Sequence, residues 1–137
     1  MKRILLTVAC LTSLSACAEE PALDCANAFR TAELNQCASQ DWDAARQTME
    51  QYLEASLKHN EENENLVAAI KEAQDGWDNY QNKHCGAVYT QWQGGTIRDV
   101  MAFSCKTKLA KQRTHELWES FLTYMDDTPP VLPEPGQ

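Results

Sequence analysis

Six cysteines and three histidines are the residues of this 137-residue chain best suited to chemistry. A cysteine can act as a thiolate nucleophile, hold a metal, carry a lipid or close a disulfide, and its surroundings decide which. Metal binding is poorly served. His59, His84 and His115 form no i, i+4 pair, and no carboxylate recurs at ligand spacing beside them. His84 and Cys85 are neighbours and suggest a Cys–His nucleophile, but a cysteine held in a disulfide supplies no thiolate. Neither a glycine-rich phosphate loop nor a Gly-x-Ser-x-Gly elbow occurs. The sequence therefore predicts a protein that is not an enzyme and that uses no metal and no cofactor.

The expectation of disulfides comes from the N-terminus. Lys2 and Arg3 precede an uncharged, mostly apolar run of eleven residues, Ile4 to Leu14. A bilayer core needs roughly 20 apolar residues, so this run is too short to span one; it fits the apolar region of a secretory signal peptide. Leu14-Ser15-Ala16-Cys17 then resembles a lipobox, in which the signal is cut before the cysteine and that cysteine is lipidated. Ala16-Cys17-Ala18 also reads as an ordinary small-x-small site with cleavage after Ala18. The lipobox reading gives a signal peptide over 1–16, a tether over 17–23 and membrane contact through a lipid on Cys17 alone. It places the protein in the periplasm or cell envelope. In that oxidising compartment Cys25, Cys37, Cys85 and Cys105 form an even set, which predicts two disulfides with three possible connectivities.

Losing Lys2 and Arg3 with the signal leaves ten basic against twenty acidic residues, a net charge of −10. Such a surface repels nucleic acid and anionic headgroups and favours basic partners. Nucleic acid is excluded as a partner.

The elements that must position these residues are helices. Apolar residues recur every three or four positions at Trp42, Ala45, Met49, Leu53 and Leu57. A second set runs through Leu66, Ile70, Ala73, Trp77, Tyr80 and His84, and a third through Ile97, Met101, Cys105, Leu117 and Phe121. Each set makes one apolar stripe on a helix, with Trp77 and Tyr80 expected in the core. The polar run His59 to Asn65 separates the first two long helices. Gly94-Gly95 makes a hairpin turn, with Thr96 as N-cap and Asp99 three residues on. Cys85 and Cys105 lie ten residues either side of Gly95, so an antiparallel hairpin sets them opposite each other and leaves Cys25 to pair with Cys37. Thr31 is expected to cap a short separate helix through Ala38. The predicted fold is all-α: a small antiparallel helical bundle over 24–126, stapled by two disulfides. The end of the chain, with four prolines after Thr128, predicts a disordered tail over 127–137.

Three ordered groups of residues resemble the LprI-type lysozyme-inhibitor family. They are Cys25 with Thr31, Glu33 and Cys37; Ala73-Gln74-x-x-Trp77-x-x-Tyr80 leading to Cys85; and Gly94-Gly95-Thr96, then Cys105, Thr107, Arg113 and Leu117. An arginine near Tyr80-Gln81 and a Leu-Asn pair near 43–47, usual in that family, are missing. The resemblance implies an exported, non-catalytic protein that blocks a lysozyme-like muramidase; the alternative is an envelope interaction or structural module without that activity. Trp92, flanking the glycine turn where little core is within reach, is the candidate partner contact, framed by Gln91, Gln93 and Thr96.

Overall fold

No proline interrupts the chain between Ala22 and Thr128, and the three apolar stripes fold as three long helices. The computed structural model describes residues 23–136; the signal, Cys10 and the lipid candidate Cys17 lie outside the described residues. Helix α1 spans Thr31–His59, α2 Glu64–Gln91 and α3 Arg98–Phe121. The separate short helix expected from Thr31 to Ala38 is instead the first part of α1. Ser39-Gln40-Asp41 holds no glycine or proline, so nothing breaks the backbone ladder there.

Helix α3 packs against both other helices, most extensively against α1. Lys106 lies over the Trp42 ring, and Asn60 reaches the Phe121 carbonyl, so α1 and α3 run parallel. The Gln74–Arg113 and Cys85–Cys105 pairs run in the opposite sense and set α2 antiparallel to α3. Ala45, Met49, Ala110 and Leu117 form the buried core, with Trp42, Tyr52, Leu53, Trp77 and Phe121 packed around them. Ser56 and Thr114 are buried among them because each hydroxyl donates to the carbonyl four residues back, Tyr52 and Ala110 respectively.

The buried face of α2 is Ile70, Gln74, Gln81 and Cys85, with Trp77 half-buried. The apolar pattern pointed one position away. Ala73, Tyr80 and His84 are exposed, and Tyr80, expected in the core, is 53% exposed and stacks on His84. Two buried glutamines turn the helix by one residue relative to its apolar count.

Both disulfides form as the hairpin geometry requires, Cys25–Cys37 and Cys85–Cys105, each with Cα atoms 5.7 Å apart. The caps shift by one. Arg30, not Thr31, is the N-cap of α1, because the Glu33 carboxylate reaches back to accept from the Arg30 and Phe29 N–H groups. Ile97, not Thr96, caps α3, since the turn closed by Gly95 N–H on the Trp92 carbonyl leaves Thr96 outside the helix.

The C-terminal segment departs from the expectation of a disordered tail. It lies back along α1 and α3: Val131 N–H donates to the Leu122 carbonyl, Trp118 Nε1 to the Leu132 carbonyl, and the Tyr52 hydroxyl to the Pro133 carbonyl. Pro135 is buried. Prolines have no N–H to satisfy, so a few carbonyl contacts suffice to hold the segment.

Candidate functional site

Because α1 and α3 run parallel and α2 antiparallel, the start of α1, the end of α2 and the start of α3 share one pole. Asp24 fixes the chain where it joins this pole. Its carboxylate accepts from Asn27 Nδ2 at 2.7 Å and from Ala26 N–H at 3.1 Å, and these bonds hold its pKa below the ordinary value. The Cys25–Cys37 bridge then folds residues 24–30 against the first turns of α1.

Gln91 is the last residue of α2 and Trp92 its C-cap. The turn over 92–97 uses no positive φ, and a Cβ at Gly94 would meet open space while one at Gly95 would make only an ordinary contact with the Trp92 carbonyl, so neither glycine is required by backbone angle or close approach. Gln91, Gln93 and Thr96 are exposed and Trp92 is 40% exposed. The structure thus brings all four together at the tip, where each is open to a partner. Sequence reasoning missed two further aromatic residues at the same pole. Phe29 is 77% exposed with the Arg30 guanidinium 5.5 Å from its ring centre. Tyr89 is 37% exposed with Arg98 at 5.3 Å. The signal was available as the aromatic–arginine neighbours Phe29-Arg30, but the Tyr89–Arg98 pair needs the hairpin to close.

The histidines lie apart. His59 meets Tyr124 edge-on, His84 stacks on Tyr80, and His115 Nε2 sits 3.2 Å from Glu134 in the tail. Among the described residues no three potential ligands cluster around a metal-sized site. A cavity of 770 Å³ opens beside the tail between Asp41, Lys108, Lys111 and His115.

A polar network crosses the bundle where Gln74 is buried. Arg113 donates through Nε to Gln74 Oε1 and through Nη1 to Glu116, each at 3.1 Å. Gln74 donates in turn to Asp78 at 3.4 Å. Desolvation raises the Asp78 pKa, and the negative charges of Asp75 and Glu50 add to it, against the lowering effect of Gln74 and Arg113. The arrangement joins helices; it offers no nucleophile, base and substrate space in one place.

Residues 24–117 match the family model of the lysozyme inhibitor LprI. The chain belongs to the LprI family. The match spans both disulfides, the glycine turn and the Gln74–Arg113 network, and it stops before the C-terminal segment that packs on α1 and α3. An uncharacterized protein of Rhizobium meliloti (strain 1021) is 29% identical over 113 residues, covering 74% of this chain and 81% of that protein. No solved structure matches the chain. Three helices and two disulfides are the form that the LprI domain takes in this chain.

Proposed function

We propose that this protein is an exported LprI-type inhibitor that binds and blocks a lysozyme-like muramidase, held at a membrane by a lipid on Cys17. The family match across 24–117 carries the reading. The acidic balance supports it, because a strongly negative surface attracts basic proteins, a class to which many lysozymes belong. The domain acts by occupying its target rather than by chemistry. The test is lysis of a peptidoglycan suspension by lysozymes of several structural types, with and without the purified mature protein. Inhibition at micromolar protein is the expected result. Failure to bind any lysozyme type at that concentration overturns the reading and leaves an envelope adaptor or structural module in its place. Replacement of Cys17 by Ser is expected to move the protein from the membrane to the soluble envelope fraction. A wild type that is already soluble, with a mature N-terminus at Glu19, removes the lipid from the proposal.

A further inference from the structure

The pole holding Phe29, Tyr89 and Trp92 also receives the chain from residues 1–22, which join the fold at Leu23. We infer that this aromatic pole seats in the interface of a lipid bilayer, so that the bundle stands on end with its helices pointing away from the membrane. The inference rests on the lipid reading of Cys17 for its orientation, and on the exposed rings for its contact.

Reach selects the pole. Six residue steps separate Cys17 from Leu23, and even fully extended they cover only about 20 Å at 3.3–3.6 Å each. Helix α1 alone, at 29 residues and about 1.5 Å per residue, is about 43 Å long. A lipid on Cys17 therefore keeps the start of α1 within about 20 Å of the bilayer, which selects this pole over the far one and leaves the tilt of the bundle to the exposed rings.

Chemistry decides the contact. Trp and Tyr rings, with one apolar and one polar side, favour the level of the headgroups and Phe29 adds an apolar one, while the guanidinium groups beside them are paired with Glu33 and Asp99 and so lend little attraction of their own. Phe29 comes from the start of α1, and Tyr89 and Trp92 from the end of α2, so the rings spread across the pole rather than stack at one point. Arg30 and Arg98 accompany two of them. The pole also carries Asp24 and Asp99, so attraction to anionic lipid is weak and insertion of the rings supplies the contact. No helix among the described residues is long and apolar enough to cross a membrane, and the surface proposed is a shallow one.

The experiment uses the full chain as the bacterium processes it, reconstituted into phosphatidylcholine vesicles with plain or brominated acyl chains. Brominated lipid is expected to quench part of the tryptophan emission, and Trp92→Phe is expected to remove most of that quenching while the protein stays on the vesicles. Equal quenching in wild type and Trp92→Phe overturns the inference. So does the absence of quenching in the wild type; joined to loss of lysozyme binding in Trp92→Phe, it would give the tip to the protein partner instead. The mass of the mature chain reports the lipid independently. A second arm uses Cys17→Ser protein, where the rings act without an anchor. Its partition onto the same vesicles is expected to fall about tenfold or more when Phe29 and Trp92 are both replaced by Ser, given the transfer value of a buried aromatic ring. Unchanged partition in that arm overturns the ring contact even if the lipid is confirmed.

Discussion

Gln74 shows how one polar side chain can matter more to this bundle than an apolar one of the same size. It is 6% exposed, and its carbonyl oxygen accepts from Arg113 Nε while its amide faces Asp78. Arg113 is itself largely buried and its Nη2 already lacks a partner. Gln74→Leu would leave a second guanidinium N–H without an acceptor. An orphaned buried donor costs about 1–3 kcal/mol, so urea unfolding of Gln74→Leu is expected to show a loss of that order, while Gln74→Glu keeps the acceptor. A Leu variant as stable as wild type would mean that Arg113 finds water or another acceptor. Asp78 is the complementary case. Its folded pKa lies above its ordinary value of 3.8 because partial desolvation of this surface carboxylate and the charges of Asp75 and Glu50 disfavour its ionised form. The folded state therefore binds this proton more tightly than the unfolded chain does. Its favourable contribution is present below pH 3.8 and is lost as pH rises through the folded value. Asp78→Asn keeps the acceptor for Gln74 and removes the charge. It is expected to raise the thermal midpoint at pH 7 slightly, since Asp78 is solvent-exposed and screened, and to give no gain below pH 3.8; a destabilised variant at pH 7 would show that attraction to Arg113 outweighs the partial desolvation.

At the scale of elements, the hairpin of α2 and α3 depends on the Cys85–Cys105 bridge more than the α1–α3 pair depends on Cys25–Cys37. Helix α1 has an extensive interface with α3 without any cross-link, whereas α2 meets α3 over a smaller area and has two glutamines on its buried face. Loss of a native disulfide from a small secreted domain typically costs about 2–5 kcal/mol. Cys85→Ser with Cys105→Ser is expected near the upper end, with amide exchange fastest in α2. Cys25→Ser with Cys37→Ser is expected near the lower end, with the change confined to residues 24–40. Equal losses with uniform exchange would show that the bundle unfolds as one unit whichever bridge is cut. These bridges were legible in the sequence because they follow from local arithmetic about Gly95, as did the helices themselves. The face of α2 was less legible. Hydrophobic counting assigns Tyr80 inward and Gln81 outward, whereas Tyr80 is exposed and Gln81 is buried on the same helix face that carries Gln74 to its partner Arg113 on α3. The packed tail was not legible at all. Its partner Tyr52 lies 81 residues from Pro133, and composition alone reads four prolines as a segment without structure. At the tip, Trp92 could be singled out by the neighbouring glycines, but Tyr89 acquires its meaning only when the turn brings Arg98 over it.

For the whole molecule, charge and shape would act at different stages of the proposed recognition. The full sequence carries a net charge of −8, and removal of Lys2 and Arg3 with the proposed signal would take it to −10. The acidic residues are distributed along all three helices and their connections, from Asp41 and Glu50 through Glu61 and Glu72 to Glu119 and Asp127. Such a distribution produces a field that acts at a distance, not a small set of contact pairs. If the protein blocks a basic lysozyme, the field should govern how fast the two meet, and the buried part of their interface how long they stay together. Salt separates the two contributions. Raising ionic strength from 0.1 M to 1 M shortens the Debye length from about 10 Å to about 3 Å. The association rate, measured by stopped-flow mixing, is expected to fall about tenfold or more, since steering can raise such rates by that much and beyond. The dissociation rate is expected to change far less, because groups in contact are screened little. A dissociation rate that rises while association holds steady would place the charge in direct ion pairs at the interface. A complex indifferent to salt in both rates would remove charge from the explanation altogether, leaving shape and apolar contact to carry recognition.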